Sequence, residues 1–427
     1  MKVLVVGSGG REHALVWKIY QSERVEKIYA APGNDGMLHL AETVNIASDN
    51  IEALADFAQE KDIDLTIVGP EKPLVDGIVD EFNSRGLKIF GPNKKAAKIE
   101  GSKVFAKEIL NKYDIPTAEY EVFTDPNQAM DYLKSADYPI VIKAEGLAAG
   151  KGVTIATNKK QAESAVLKIM EERIFGDAGD RIVIEDFFEG EEVSILVLTD
   201  GKHILPLAPA QDYKAIFDGD EGPNTGGMGA YSPTSFMTDE LWKEVCTEIL
   251  KPTIKAFQAE GINYQGILYV GLIITNGGAK VLDFNARLGD PETQVILPRM
   301  KEDIVELMEA VVESRLQEKE LTWDKKTAAC VVLVSGGYPI AFKTGFKIEG
   351  INELNKYDNV LLFHAGTKKE GKGYVTNGGR VIGITVLGDG LFDTINQVYE
   401  YIEESVSFED MHYRTDIGQK FFEEQNE

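Results

Sequence analysis

Cysteine is nearly absent from this chain. Two occur in 427 residues, Cys246 and Cys330, far apart and outside any Cys-x-x-Cys pattern. That excludes a disulfide framework and a thiolate zinc site. Histidine is almost as scarce, with five. His39, His203 and His412 lack partners at metal-ligand spacing, and His13 reads as a helix residue satisfied by its neighbours. No Ser-His-Asp triad or Cys-His nucleophile can be assembled. Basic residues are outnumbered, 45 Lys and Arg against 70 Asp and Glu, for a formal net charge of −25. A phosphate backbone needs fields of Lys and Arg, so no nucleic-acid partner is expected. The acidity itself reads as a source of solubility. No apolar run is long enough to span a membrane, and the first one is too short for a signal peptide. The expected compartment is the cytoplasm, with no membrane partner. Internal repeats and low-complexity tracts are absent too.

What is present is a large apolar share, 43% of residues, enough for folded cores in two to four domains. Residues 1–101 alternate strand signals (3–6, 27–31, 65–68, 88–90) with helix signals (11–21, 51–61, 74–85). This rhythm predicts an open parallel α/β sheet with helices on both faces. Gly69-Pro70 and Gly91-Pro92 follow strand carboxyl ends, where such sheets bind ligands. From residue 102 the pattern changes. A helix at 102–113 precedes a small α+β lobe, about 117–195, with strands at 139–143, 153–156, 181–186 and 193–199. A second lobe, about 196–324, carries a long helix at 239–260, strands at 266–274 and 280–283, and a helix at 303–315. Residues 325–427 form a further domain, with strands at 328–335, 356–363 and 380–387 and a helix at 391–405.

The most informative stretch is Asp283-Phe284-Asn285-Ala286-Arg287-Leu288-Gly289-Asp290-Pro291-Glu292. Side chains alternate along a strand, so Asp283, Asn285 and Arg287 are expected on one face. A carboxylate and an amide oxygen suit Mg²⁺. A guanidinium fork matches phosphate or carboxylate oxygens. The three in a row predict phosphoryl transfer.

Four further clusters carry chemistry. Gly7-Ser8-Gly9-Gly10-Arg11-Glu12-His13 joins a strand to a helix, a favourable place for an anion. A dinucleotide fingerprint would need glycine where Glu12 stands and an acidic ribose partner near Ala30-Ala31-Pro32. A smaller phosphate beside Arg11 fits better. Lys143-Ala144-Glu145-Gly146-Leu147-Ala148-Ala149-Gly150-Lys151-Gly152 joins two strands and lacks the Walker ending. As a hairpin flap it could cover phosphates with backbone N–H groups. Ile184-Glu185-Asp186-Phe187-Phe188-Glu189-Gly190-Glu191-Glu192 reads as two strands joined by an acidic turn. Gly222-Pro223-Asn224-Thr225-Gly226-Gly227-Met228-Gly229-Ala230-Tyr231 reads as a polar, mobile loop that closes over a small anion.

These motifs together resemble the ATP-grasp superfamily and, within it, the glycinamide ribonucleotide synthetase family. The resemblance runs from the Gly7 cluster to Thr376-Asn377-Gly378-Gly379-Arg380. Its most specific piece is Arg287-Leu288-Gly289-Asp290-Pro291-Glu292-Thr293-Gln294. It implies a multidomain α/β and α+β architecture. That comprises a Rossmann-like pre-ATP-grasp domain at 1–101, a two-lobed ATP-grasp domain at 102–324 and a small β-rich domain at 325–427. It implies a ligase of purine biosynthesis that joins glycine to 5-phosphoribosylamine, using ATP with Mg²⁺ or Mn²⁺; a monomer is expected, with a weak homo-oligomer as the alternative. Glycyl phosphate would be the intermediate. Both it and phosphoribosylamine hydrolyse readily, so a water-excluding lid is expected.

Residue by residue, the resemblance implies that Lys103 and Lys143 contact ATP phosphates beneath Gly150, Lys151 and Gly152 of the flap. Glu185, Asp186, Phe187 and Phe188 would hold adenine, and Glu192 the ribose. Asp283 and Asn285 would hold the metal. Arg287 would face the transferring phosphate and the glycine carboxylate. Asp290, Gly226, Gly227, Met228 and Gly229 would lie near glycine and phosphoribosylamine. Gly9, Gly10 and Arg11 would take the sugar phosphate. Arg287, Asp290 and Lys151 are the catalytic candidates. Two residues depart from the family pattern. Asp283 stands where Glu is usual, shortening that ligand by one methylene. Glu145 replaces Asp, lengthening its reach toward the flap. Two other readings stay open: another ATP-grasp carboxylate–amine ligase or carboxylase, and a nucleotide-binding module with no ligase activity.

Overall fold

The computed structural model describes residues 1–148 and 150–419. Ala149 of the flap and residues 420–427 lie outside the described residues. The first sheet contains β1 (Lys2–Gly7), β2 (Lys27–Pro32), β3 (Glu42–Thr43), β4 (Leu65–Val68) and β5 (Ile89–Phe90). Its order is β3-β2-β1-β4-β5, with every pairing parallel. Val3 to Val6 are fully buried, as a central strand covered on both faces requires. The single helix expected at 74–85 is two, Glu71–Asp76 and Ile78–Ser84. They break at Gly77, whose φ of +105° is left-handed and easy only for glycine. A helix the sequence reading missed, Lys94–Gly101, leads to Ser102. The Ser102 hydroxyl accepts the Phe105 N–H at 3.1 Å and so starts helix Lys103–Lys112.

The small lobe is an antiparallel sheet of β6 (Tyr120–Phe123), β7 (Ile140–Ala144), β8 (Val153–Ala156) and β9 (Ile182–Asp186), in the order β6-β9-β7-β8. The flap joins β7 to β8. Next come β10 (Glu191–Asp200), β11 (Ile204–Pro206), β12 (Gln211–Phe217), β13 (Glu221–Ser232), β14 (Gln265–Thr275) and β15 (Gly278–Asn285). The larger lobe has the order β11-β10-β14-β15. The strand expected at 193–199 therefore belongs here and not to the small lobe. Its Ile195 and Val197 enter one core and its Leu196 and Leu198 another, which demands a strand covered on both faces.

The C-terminal region adds β16 (Thr327–Ser335), β17 (Lys347–Ile348), β18 (Val360–His364), β19 (Thr367–Glu370), β20 (Gly373–Thr376) and β21 (Arg380–Gly388). Helix Leu391–Ser405 packs on β16 and β21. The sheet here runs β12-β13-β16-β21-β18, so the β12–β13 hairpin leaves the larger lobe to complete it. This corrects the mobile loop expected at 222–231. That stretch is a strand, buried from Gly227 to Ser232, and its glycines serve close approach. A Cβ on Gly226 would stand 2.9 Å from the Arg380 guanidinium carbon, and one on Gly227 2.9 Å from the Asp290 carbonyl oxygen.

Candidate active site

A cavity of about 720 Å³ opens where the carboxyl ends of the first sheet, both lobes and the C-terminal region meet. Its wall gathers Gly9, Arg11, Lys103, Lys143, Gly150, Lys151, Gly152, Glu185, Asp186, Phe187, Phe188, Glu192, Gly226, Asp283, Asn285, Arg287 and Asp290. Four expected residues are not on it. Gly10 packs beneath the Gln294 side chain. Gly227 runs behind Asp290 and Pro291, and Gly229 lies against the Cys330 carbonyl oxygen and Ile417. Met228 is fully buried among core side chains such as Ala230.

β15 ends at the cavity with Phe284 in the core and Asp283 and Asn285 half-buried. Asp283 leans across Gly271 of β14, where the pairing register shifts. A side chain at 271 would collide with its carboxylate. Arg287 follows the strand and is held by acids. Its Nη2 lies 3.1 Å from Glu100 and donates to Asn285 Oδ1 at 3.1 Å, and its Nε lies 3.6 Å from Glu71. That Nε is buried and makes no hydrogen bond. Burial pushes Glu100 above the usual carboxylate range although Arg287 opposes it. Burial also opposes ionisation of Glu71, but Arg287 and Arg11 outweigh it and hold Glu71 low.

Three lysines, Lys103, Lys107 and Lys143, line the same cavity. Lys143, on β7, donates to the Leu282 carbonyl at 3.1 Å and pairs with Glu185 of β9. A lysine the sequence reading missed, Lys107, pairs with the same carboxylate from helix Lys103–Lys112 and donates to Thr117 Oγ1 at 2.8 Å. Lys103 reaches the Gly146 carbonyl at 3.2 Å. Burial, with the Lys143 charge beside it, lowers the Lys103 ammonium to about 8. ATP should therefore bind the free protein less tightly as pH rises through about 8, because Lys103 then loses the charge that meets phosphate. A nucleotide titration from pH 7 to 9.5 checks this, and a flat affinity would remove Lys103 from the phosphate site. Glu145 does not reach toward the flap as expected. Its carboxylate accepts the Ser102 hydroxyl at 2.6 Å and pairs with Arg181, tying a helix start to β7 and β9.

The flap rests on other parts of the chain. Lys151 donates to the Pro339 carbonyl at 2.9 Å. Gly150, with φ +75°, lies so close to β13 that a Cβ would stand 2.7 Å from the Thr225 carbonyl oxygen. In the first βα turn the Glu12 carboxylate fills the hollow between Gly7 and Gly69. It accepts the Gly9 N–H at 2.6 Å and Arg11 Nε at 2.7 Å. A dinucleotide pyrophosphate would need that hollow. Asp290 joins three elements: it takes Arg380 Nη2 at 3.0 Å, Gln294 Nε2 at 2.6 Å and the Arg11 N–H at 3.4 Å. Burial works against its ionisation, yet Arg380 and Arg11 keep it below the usual range.

Asp212 and Lys214, both on β12, were also missed. They line the cavity, with Lys214 Nζ 2.8 Å from Glu192 and 3.8 Å from Asp212. The alternation in Gln211-Asp212-Tyr213-Lys214 was a signal that could have placed both on one strand face. Burial pushes Asp212 up to about 7, opposed by Lys214 and reinforced by Glu292, Glu192 and Asp283.

The chain is similar to known proteins along nearly its whole length. Residues 1–100 match the N domain, 101–293 the ATP-grasp (A) domain and 328–420 the C domain of phosphoribosylglycinamide synthetase. The phosphoribosylamine–glycine ligase of Caldanaerobacter subterraneus subsp. tengcongensis is 51% identical over 98% of this chain and 99% of its own. That of Escherichia coli K12 is 50% identical over the full length of both. A crystal structure of phosphoribosylamine–glycine ligase from Thermotoga maritima superposes with a TM-score of 0.81 and 31% identity, covering 98% of this chain and 100% of that one. The biotin carboxylase domain of a Hydrogenobacter thermophilus 2-oxoglutarate carboxylase, solved with MgADP, ADP and bicarbonate, gives 0.76 at 16% identity over 98% and 97%. That likeness is one of fold. The chain belongs to the phosphoribosylglycinamide synthetase family.

Proposed function

We propose that this chain ligates glycine to 5-phosphoribosylamine, converting ATP to ADP and phosphate. The observation that carries the reading is one cavity lined by phosphate-seeking lysines, hard oxygen ligands and Arg287, in a chain half identical to ligases of that name. ATP lies with its phosphates along Lys103 and Lys143 under the flap, its purine near Glu185 to Phe188 and its ribose near Glu192. The glycine carboxylate is turned to Arg287. A carboxylate oxygen attacks the γ-phosphorus, the bond to ADP breaks, and glycyl phosphate forms. The amine of phosphoribosylamine then attacks the acyl carbon, phosphate leaves and the nitrogen loses a proton. Such chemistry needs positioning and charge neutralisation more than a protein nucleophile. The sugar phosphate sits toward Gly9 and Arg11.

The donor set at Asp283 and Asn285 fits Mg²⁺ or Mn²⁺. Two protein oxygens completed by substrate phosphates is a usual way to hold Mg²⁺. When bound, the ion neutralises charge on the transferring phosphoryl group. Arg287 orients the acceptor carboxylate, Asp290 holds Arg380 and the Arg11 backbone in place, and the flap excludes water. No described helix is long and apolar enough to cross a membrane, and both cysteines are free, in keeping with a cytoplasmic enzyme.

The test is ADP release with Mg-ATP, glycine and phosphoribosylamine generated in situ. Release should require both co-substrates, and bicarbonate or formate should not replace glycine. Release indifferent to either co-substrate would end this reading.

A further inference from the structure

Arg414 is fully buried, which an arginine tolerates only when its donors are met. They are met from two sides. Nε and Nη2 donate to Asp416 at 2.7 and 2.6 Å, within the same run of chain. Nη1 crosses to the β12–β13 hairpin, where it donates to Asp220 at 2.8 Å and to the Ala215 carbonyl at 3.3 Å. Its neighbours hold the same hairpin. His412 Nε2 donates to the Ile216 carbonyl at 2.9 Å, the Thr415 N–H donates to Asp218 at 2.9 Å, and the Gly219 N–H donates to Asp416 at 2.8 Å. Residues 412–416 thus grip the hairpin from Ala215 to Asp220. Arg414 itself is not on the cavity wall.

The hairpin needs a grip from outside. β12 ends its sheet, and its ladder with β13 slips twice, between Tyr213 and Ala215 and between Ala215 and Phe217. Where a ladder is irregular, it no longer fixes where side chains aim. Lys214 sits in the first slip. It lines the cavity, and its Nζ lies 2.8 Å from Glu192, which lines the cavity too. Both side chains are partly exposed, and such a pair holds a geometry only weakly by itself. The aim of Lys214 therefore depends on its backbone, and Arg414 binds the carbonyl of the next residue. A tail that merely covered an open strand edge would not require a buried guanidinium there. We propose that Arg414 is a positioning residue for nucleotide binding. By fixing Ala215 and the turn at Asp220 it sets Lys214, and through Lys214 the Glu192 carboxylate. This rests on the reading above that Glu192 meets the ribose of ATP.

The experiment titrates wild type, Arg414→Lys, Lys214→Met and the double variant with ATP, 2′-deoxy-ATP and 3′-deoxy-ATP by calorimetry, beside thermal melts and ADP-release kinetics. Lysine at 414 keeps the charge but loses the fork. Kd for ATP should rise about 10-fold in Lys214→Met and about 5-fold in Arg414→Lys, the scale of a charge-assisted hydrogen bond. The double variant should stay near 10-fold and not reach the product of about 50-fold, because residues acting through one network do not add. At saturating ATP, kcat should stay within about twofold of wild type, the mark of lost binding and not of lost chemistry. The preference for ATP over whichever deoxynucleotide wild type rejects should shrink in both single variants. Should Arg414→Lys fold poorly, Asp220→Ala on the exposed turn loosens the same contact and should raise Kd about 3-fold. A folded Arg414→Lys that melts earlier but binds ATP normally overturns the proposal and leaves Arg414 a structural residue. So do penalties that multiply in the double variant, or a Lys214→Met that binds ATP as wild type does. Wild type that binds all three nucleotides alike fails the ribose reading of Glu192, a separate result, since ATP alone decides the coupling of 414 to 214.

Discussion

Replacing Arg287 by alanine should lower the glycine-dependent rate by about 10²–10³-fold, the usual loss for one preorganised donor at developing charge. It should also destabilise the fold by about 3–5 kcal/mol at neutral pH, as removal of one partner of a buried ion pair does. Both effects come from one guanidinium, because Arg287 lines the cavity and is paired there with Glu100 and Glu71. The two can be separated by pH. Glu100 already has a folded value above its ordinary 4.5, and losing Arg287 raises it further. Between 4.5 and that raised value the folded state holds more protons than the unfolded chain, so stability falls as pH rises through this window. The Glu71 contribution, present at neutral pH because Arg287 and Arg11 hold its value down, is reduced as well. The stability deficit should be deepest at neutral pH and shrink toward pH 5, whereas the rate deficit should not recover. Urea melts at pH 5 and 7.5 beside ADP-release assays decide it; equal deficits at both pH values would show that Glu100 is not the strained partner. Arg287→Lys should keep much of the stability and little of the rate, since a point charge cannot replace a planar fork.

Asp283→Asn should cut kcat at least about 100-fold at saturating ATP, the scale of charge stabilisation a bound metal supplies, and raise the Mg²⁺ needed for half-maximal rate. The amide keeps the shape of the carboxylate but not its charge. The side chain already leans across Gly271, so Gly271→Ala should push it aside and mimic part of the loss without touching the ligand. Magnesium titrations of both variants are the measurement. A normal metal requirement in Asp283→Asn would move the ion elsewhere. Asp283→Glu lengthens this ligand by one methylene, and a steeper magnesium dependence in that variant would indicate that the longer side chain recruits another ion.

Much of this site could be read from sequence, and the reasons are physical. Asp283 and Asn285 were legible because a strand alternates, and Lys143 because it ends one. The flap was legible because glycines cluster between two β signals. The strand at 222–231 was misread because glycine has two uses, freedom and closeness, and sequence does not separate them. Only with Arg380, Asp290 and Pro291 in place does closeness become the evident one. Lys107 was missed because a lysine on a helix usually faces water, and nothing local says that Glu185 waits for it. Asp212 and Lys214 are legible in Gln211-Asp212-Tyr213-Lys214, where i, i+2 spacing puts both on one strand face. Gly77 breaks the helix where the pattern at 74–85 reads as continuous, because a single glycine is tolerated within a helical pattern. The antiparallel pairing of β13 with β16 joins segments about a hundred residues apart, and no local pattern encodes it.

That last pairing bears on how the chain could be taken apart. Gly229 to Ser232 are bonded to Val331 to Ala328 in the interior of the sheet, although the segments fall on opposite sides of the proposed boundary at 324/325. The seam in the sequence is therefore not a seam in the hydrogen-bond ladder. A fragment ending before residue 325 would carry β13 with an open edge and an uncovered apolar face, the conditions under which strands recruit other chains. A fragment beginning there would lack the strand against which β16 is zipped. In modular terms the third region is not an appendage that could be trimmed or swapped. The catalytic body and its last region share one sheet and have to be inherited together.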